Sequence, residues 1–234
     1  MNEKLKKIKE SVFDIIFPKF CLGCEREGLW VCEKCLKKII QVKTQVCPEC
    51  GKVSSLGRYC PKHKRLWGLS GIMVAGYYQE GPLKEIIHNF KYNHILELGN
   101  FLGTLMAEAL EENLPAEKNL LLCAVPLHFL RRAQRGYNQA EILGSKIACE
   151  LKLPANFKLL KKVRFTKPQV QVAQDERRVN LIKSFAINQN ISLKGKTIIL
   201  IDDVATTGTT LNECAKVLRK KGARRVWGLV AAKG

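Results

Sequence analysis

The stretch IILIDDVATTGTTL, residues 198–211, decides the fold. It begins with four apolar residues, which predict a buried strand, and it places two adjacent acids, Asp202 and Asp203, at the carboxyl end of that strand. Threonines and one glycine follow, and they open an amphipathic segment that predicts a helix over 210–222. A buried strand that turns into a helix through a short polar loop is a building unit of parallel α/β sheets.

The loop after the acids has the composition of an anion site. Backbone N–H groups at a helix start attract anions, and Gly208 lets the backbone close around one without an intervening side chain. Two adjacent carboxylates beyond an apolar strand are costly unless they meet cations or hydroxyl groups, and ribose hydroxyls meet that need. An ordinary helix with a threonine cap is the alternative, but it explains only the helix start. The candidate phosphate-binding residues are Ala205, Thr206, Thr207, Gly208, Thr209 and Thr210.

Apolar runs alternate with helical patterns on the amino-terminal and carboxyl-terminal sides of this stretch. Strands are predicted at 71–78, 120–126, 193–204 and 224–232, and helices at 83–92, 96–114, 138–151 and 210–222. This alternation predicts an α/β fold with a doubly wound, mostly parallel sheet. In such sheets ligands bind beyond the carboxyl ends of the strands, which is where the two acids and the loop fall.

Composition narrows the classes of partner. A formal net charge of +19 over 234 residues favours polyanions, either nucleic acid or phosphorylated small molecules. Acids outnumber bases in 71–120 while bases dominate elsewhere, which favours discrete basic faces over a uniformly basic surface. No stretch approaches the roughly 20 apolar residues that span a bilayer, and residues 1–17 lack a signal-peptide cleavage site. We therefore expect a cytoplasmic protein without a transmembrane segment.

Four C-x-x-[CH] pairs stand before residue 64. Eight soft ligands at this spacing predict two tetrahedral zinc sites without an open position, which are structural sites. Disulfides are the alternative, but they need an oxidising compartment. Pairing in chain order and an interleaved cross-brace use the same side chains, so the spacing leaves the assignment to each zinc open. The predicted ligands are Cys21, Cys24, Cys32, Cys35, Cys47, Cys50, Cys60 and His63.

The remaining cysteines and the amino terminus carry weaker signals. Cys123, Cys149 and Cys214 stand in apolar or helical surroundings, and we predict that all three are buried. Ahead of the zinc ligands, apolar residues from 5 to 16 recur at helical spacing, which favours packing against the zinc module or a neighbouring chain over a membrane-surface role. We predict an amino-terminal helix and zinc module over 1–68 and the α/β domain over 69–234.

The order of residues in 198–211 resembles the phosphoribosyl pyrophosphate signature of the type I phosphoribosyltransferases. In that family the acids contact the ribose hydroxyls, and the loop that follows them holds the 5-phosphate. The resemblance therefore implies that Asp202 and Asp203 are the catalytic acids and that residues 205–210 bind the phosphate. It also implies the type I phosphoribosyltransferase fold for this domain.

Two further segments narrow the resemblance. VPLHFLRRAQRGYNQAEILG at 125–144 and FTKPQVQVAQDERRVNLIKSFAI at 165–187 are similar to the competence protein F family of bacterial DNA uptake, as is FKYN at 90–93. That family joins an amino-terminal double zinc ribbon to a transferase core, and the resemblance covers essentially the whole chain. One departure is His63, which stands where the last cysteine is expected and which zinc accepts as a ligand.

Three arginines follow the strand at 120–126, namely Arg131, Arg132 and Arg135. We predict a basic loop here, and by analogy with the family it is the loop that holds a pyrophosphate together with Mg²⁺, since guanidinium groups pair with phosphate oxygens. A solvated basic loop or a DNA contact is the alternative. Residues 164–180 occupy the place of the mobile catalytic loop of related enzymes.

Two functional hypotheses follow. The first is an enzyme that transfers the phosphoribosyl group to an acceptor, for example a small molecule with no connection to DNA. The second is a binding module that holds single-stranded DNA, uses the phosphoribosyl pyrophosphate site for recognition or regulation, and works with the DNA-uptake machinery, as the family resemblance implies. We favour a DNA-uptake protein with a functional phosphoribosyl pyrophosphate site.

Overall fold

The computed structural model describes residues 18–78, 81–116, 118–163, 184–188 and 191–234. The helix predicted within residues 5–16 and the loop predicted at 164–180 therefore lie outside the described residues. In the described part the strands are β1 Gly71–Tyr77, β2 Leu120–Ala124, β3 Leu160–Lys162, β4 Phe185–Ile187, β5 Thr197–Ala205 and β6 Arg225–Lys233. The helices are α1 Glu33–Leu36, α2 Pro61–Lys64, α3 Leu83–Tyr92, α4 Glu97–Glu112, α5 Phe129–Arg135, α6 Gln139–Leu151 and α7 Thr209–Lys220.

Four strands form one parallel sheet in the order β1-β6-β5-β2. β5 lies between β6 and β2, so its backbone is paired along each side, and Asp202 stands opposite Val230 of β6. The parallel sheet confirms the predicted fold class. β3 and β4 form a separate antiparallel pair that the sequence pattern did not predict, because each strand has only three residues.

The apolar run of β5 is buried because helices cover the two faces of the sheet. Ile199 and Ile201 pack into a core with residues of α3, α4 and α6. Ile198 and Leu200 point the other way and pack with α7 and the β3–β4 pair. β5 thus holds its carboxyl end rigidly between two packed layers.

The segment between β2 and α6 corrects one prediction. Residues 129–135 form the short helix α5 and not a loop. His128 caps its start, with the Nδ1 atom accepting a hydrogen bond from the Leu130 backbone at 3.4 Å, and Gly136 ends it with a φ of 74°. The arginines therefore project from a helix, whose 3.6-residue turn decides which of them share a face.

The zinc-ligand segment packs along the free edge of the sheet. The Val42 backbone N–H donates to the Ala75 carbonyl oxygen of β1 at 2.9 Å. The side chain of Gln45 contacts Val74, with Nε2 donating to its carbonyl at 2.9 Å and Oε1 accepting from its N–H at 3.0 Å. These contacts occupy backbone groups of β1 that would otherwise be an open edge.

The remaining cysteines differ from one another. Cys123 and Cys214 are fully buried, as predicted, but Cys149 is exposed on α6, so the prediction for this residue is wrong. The apolar stripe of α6 contains Leu143 and Ile147, and Cys149 falls outside it. Across the described residues, none of the helices has both the length and the apolar character needed to cross a bilayer.

Candidate phosphoribosyl site

A cavity of about 330 Å³ opens at the carboxyl ends of β2 and β5. Its walls come from the last turn of α3, from α5, from the start of α6, from β3 and from the loop between β5 and α7. The lining includes the predicted residues Asp202, Asp203, Ala205, Thr206, Thr207, Gly208, Thr209, Thr210, Arg131 and Arg135. The structure therefore brings ten of the eleven predicted residues of this site around one cavity.

The two acids differ in their partners. The Asp202 carboxylate accepts a hydrogen bond from the Asp203 backbone N–H at 2.9 Å, and Asp203 accepts from the Val204 N–H at 2.6 Å. Asp203 also pairs with the ammonium of Lys91 at 2.8 Å. Burial and the charge of Asp203 raise the pKa of Asp202 from 3.8 to about 7, although Lys91 opposes this shift. Ionisation of both carboxylates is therefore unfavourable below about pH 7.

This raised pKa predicts a pH-dependent stability. Between the ordinary value of 3.8 and about 7, the folded state binds more protons at Asp202 than the unfolded state, so this group lowers stability as the pH rises through that window. Asp202→Asn should therefore melt at a higher temperature than the wild type at pH 8, with the difference vanishing near pH 4. Asp203→Asn is the matched comparison and should melt lower at pH 8, because it breaks the ion pair with Lys91. Thermal unfolding by circular dichroism, without ligand, measures both, and a lower melting temperature for Asp202→Asn at pH 8 would contradict the assignment.

The loop before α7 has the geometry of an anion cradle. Gly208 adopts a φ of 73°, a left-handed backbone conformation that glycine adopts without strain, so the turn favours glycine here. The hydroxyl groups of Thr207 and Thr209 are hydrogen-bonded to each other, with their Oγ1 atoms 2.8 Å apart. The loop thereby presents hydroxyls and the first backbone N–H groups of a twelve-residue helix to the cavity.

Cations line the rest of the cavity. Lys91, Lys162, Arg131 and Arg135 face two carboxylates, so the charged lining is positive overall. Burial lowers the pKa of Arg131, and the nearby charge of Arg135 lowers it further. Burial and the charge of Arg131 likewise lower the pKa of Lys162. Burial is the larger cause of both shifts, and the repulsion between neighbouring cations adds to it, so a polyanionic ligand would stabilise the charged forms.

Arg132 lies elsewhere. Its guanidinium binds Glu141 of α6 with both nitrogens, at 2.7 Å and 3.0 Å, and it is not among the residues that line the cavity. Arg131 and Arg135 are four residues apart on α5 and both line the cavity, while the ion pair with Glu141 holds Arg132 outside it. The structure therefore separates the three arginines that the sequence grouped.

Lys91, Lys162 and Gln139 are among the lining residues that were absent from the predicted site. Lys91 and Lys162 lie far from 198–211 in the chain, and Lys91 has only the FKYN resemblance as a signal. Gln139, at the start of α6, is 2% exposed, and its amide nitrogen makes no well-formed hydrogen bond to the described residues. A ligand oxygen in the cavity could accept from that nitrogen.

The eight predicted zinc ligands form two separate groups. One contains Cys21, Cys24, Cys32 and Cys35, and the other contains Cys47, Cys50, Cys60 and His63. Within each group the ligand atoms lie within 4.8 Å of one another, which suits one tetrahedral ion. The ligands are thus grouped in chain order, and the interleaved alternative does not apply. Each set has four ligands and no open position, as in structural zinc sites.

Comparisons with known proteins agree with this architecture. The family model described as "Double zinc ribbon domain" matches residues 12–63, and the one described as "Phosphoribosyl transferase domain" matches residues 133–232. "Competence protein F" of Haemophilus influenzae is 31% identical over 226 residues, which cover 91% of this chain and 96% of that protein. The chain belongs to the competence protein F family.

Other relatives extend the family. "DNA utilization protein YhgH" of Escherichia coli (strain K12) is 29% identical and covers 91% of this chain and 96% of its own length. "Competence protein ComFC" of Bacillus subtilis (strain 168) is 28% identical, with 82% and 79% covered. The resemblance stated from the sequence is confirmed, and the names of these relatives refer to competence or to DNA utilization.

Solved structures are similar to this chain at lower sequence identity. A purine phosphoribosyltransferase from Pyrococcus horikoshii is 15% identical with a TM-score of 0.35, and the match covers 58% of this chain and 82% of that one. The protein TT1426 from Thermus thermophilus is 18% identical with a TM-score of 0.34, covering 57% and 72%. The assignment to the phosphoribosyltransferase fold rests on the parallel sheet and on the matched domain.

Proposed function

We propose that this member of the competence protein F family binds phosphoribosyl pyrophosphate in the cavity between β5, α5 and α7, and that it acts in DNA uptake by binding single-stranded DNA. One observation supports the proposed binding of phosphoribosyl pyrophosphate. A carboxylate pair, an anion cradle and two arginines from a separate helix line the same cavity of about 330 Å³. Phosphoribosyl pyrophosphate presents the three matching groups, which are ribose hydroxyls, a phosphate and a pyrophosphate.

The proposed roles follow from the chemistry of each wall. Asp202 and Asp203 accept hydrogen bonds from the ribose hydroxyls, and residues 205–210 hold the 5-phosphate at the start of α7. Arg131 and Arg135 face the pyrophosphate, whose oxygens pair with guanidinium groups. Mg²⁺ would enter with the ligand and would neutralise part of its charge.

The same residues could support a phosphoribosyl transfer. Charge develops on the pyrophosphate as it leaves the anomeric carbon, and the cations fixed on α3, α5 and β3 stabilise that charge without reorganising. Transfer needs an acceptor. Single-stranded DNA and small molecules are the two classes of acceptor to be distinguished. Incubation with labelled phosphoribosyl pyrophosphate, Mg²⁺ and DNA, followed by detection of released pyrophosphate, separates binding from turnover.

Helix α5 offers a matched test of the pyrophosphate assignment. Arg131→Gln and Arg135→Gln should each weaken phosphoribosyl pyrophosphate binding about tenfold to a hundredfold, since each loses hydrogen bonds between charged groups. Arg132→Gln changes the same charge on the same helix, but this residue lies outside the cavity and binds Glu141. The dissociation constant of the Arg132→Gln variant for phosphoribosyl pyrophosphate should change by less than about threefold.

Isothermal calorimetry in the presence of Mg²⁺ measures the three constants. Equal losses in all three variants would show that net charge, and not position in the cavity, decides the affinity. Unchanged affinity for Arg131→Gln and Arg135→Gln would place the pyrophosphate elsewhere.

A further inference from the structure

A second concave surface lies away from the phosphoribosyl cavity. This basic groove, of about 850 Å³, runs between the segment 64–70, helix α7 and the start of β6. Six basic residues line it against one acid, Glu213, and one of the six, Lys216, pairs with that acid at 2.6 Å. The six are Lys64, Lys216, Arg219, Lys220, Arg224 and Arg225. An excess of this size favours a polyanion along the groove.

An aromatic ring stands at one end of the groove. Trp67 stacks on Tyr59 with ring centroids 5.0 Å apart and planes 12° apart. Tyr59 is 1% exposed, so the stack is anchored in the core, while Trp67 is half-buried and lines the groove. A ring held in this way is a platform on which an unpaired base can stack.

The groove continues toward the phosphoribosyl cavity. A smaller depression of about 280 Å³ shares Trp67, Glu213 and Lys216 with the groove. Its wall also includes Thr209, which lines the phosphoribosyl cavity. One surface along α7 therefore connects the basic residues, the aromatic platform and the anion cradle.

We propose that the basic groove is the binding site for single-stranded DNA, with the phosphates along the basic side chains and a base stacked on Trp67. This inference rests on the proposed function, which includes DNA binding, and it places that binding on α7 and β6 and not on the arginines of α5. A single strand fits better than a duplex, because only an unpaired base can reach the ring. Contacts to the backbone make the binding largely independent of base sequence.

Salt dependence tests the basic side chains. Fluorescence anisotropy with a labelled oligothymidylate of about 20 nucleotides, enough to cover one binding site, gives the affinity of the full chain at several salt concentrations. Lys220→Gln with Arg224→Gln removes two exposed groove cations, and Lys84→Gln with Lys118→Gln removes two exposed cations elsewhere. The groove variant should flatten the log–log salt slope by about 1.4, at about 0.7 for each lost phosphate contact, and the control variant should leave it unchanged.

Trp67 tests the stacking. Trp67→Leu should weaken binding about 5- to 150-fold without changing the salt slope, while Trp67→Phe should retain most of the affinity, since stacking carries no ionic contact. Zinc content and circular dichroism of each variant establish that it is folded. Unlabelled duplex of the same length should compete poorly with the single strand.

The outcomes separate this inference from the proposed function. Binding that survives the groove variants but is lost in Arg131→Gln with Arg135→Gln would overturn the groove and leave DNA binding in place. A wild-type chain that does not bind the oligonucleotide at low salt would overturn both. Markedly tighter binding of an oligouridylate, or of the duplex, would overturn the choice of single-stranded DNA.

Discussion

Removal of zinc should unfold the amino-terminal module and destabilise the sheet that it covers. Each group of four ligands should hold one ion, and structural zinc contributes roughly 10–16 kcal/mol of folding free energy in comparable small modules. Gln41 and Val42, ahead of the second group, pair with β1, and Tyr59 packs in the same core as Ile198 and Leu200. The chain as purified should therefore contain two zinc ions and should lose its cooperative melting transition when they are chelated.

Two cysteine variants sharpen this prediction. Cys47→Ser breaks the second ligand group and should leave one zinc per chain, with a much lower melting temperature. Cys149→Ser changes an exposed cysteine outside both groups and should retain two zinc ions and the wild-type melting temperature. Atomic absorption counts the zinc in each protein. Fewer than one zinc per wild-type chain after gentle purification would refute the two structural sites.

Replacement of both cavity acids should abolish binding of phosphoribosyl pyrophosphate. Asp202→Ala with Asp203→Ala removes the proposed acceptors of both ribose hydroxyls, and hydrogen bonds to charged groups contribute about 1.5–3 kcal/mol each. The combined loss corresponds to a dissociation constant raised by at least about a hundredfold. Because Asp203 is paired with Lys91, some loss of stability is also expected, so folding must be verified by circular dichroism at the temperature of the titration.

A matched control comes from α4. Glu111→Ala with Glu112→Ala also removes two adjacent carboxylates, but both are exposed and neither lines the cavity. Its affinity should equal that of the wild type within about threefold. If the two double variants bind equally well, the assignment of the acids is wrong.

Local pattern was sufficient for the strand, the loop and the helix that decide the fold. The apolar run of β5 lacks alternation because α7 covers one face of the sheet and α4 and α6 cover the other. Gly208 then identifies the turn, because glycine adopts a positive φ without strain, and the threonines beside it supply the hydroxyl groups. These features depend on neighbours in the chain, so a single sequence carries them.

Lys91 and Lys162 could not be placed in the same way. Each is one of many lysines in a basic chain, and its position at the cavity depends on how α3 and β3 approach the carboxyl end of β5. That approach is set by packing between elements that are distant in sequence. The spacing of residues within a helix or a strand therefore does not predict which lysines reach the cavity.

The arginines and the zinc ligands could be placed from the sequence only in part. FLRRAQR followed by Gly136 is compatible with a short helix, and in a helix the four-residue spacing brings Arg131 and Arg135 together. Arg132 is three residues before Arg135, so spacing alone does not exclude it, and the ion pair with Glu141 is what holds it outside the cavity. The grouping of the eight zinc ligands depends on the path of the chain between the pairs, which spacing does not fix. Here the structure resolves a choice that the sequence had left open.

The central claim is that the cavity beyond β5 is a phosphoribosyl pyrophosphate site. Calorimetric titration of the wild-type, zinc-loaded chain with phosphoribosyl pyrophosphate in excess Mg²⁺ tests it most directly. We predict saturable binding at one site per chain. Ribose 5-phosphate alone and pyrophosphate alone should each compete with phosphoribosyl pyrophosphate, because each contacts a different part of the cavity. Absence of heat and of any ligand-dependent rise in melting temperature at millimolar ligand would contradict the claim.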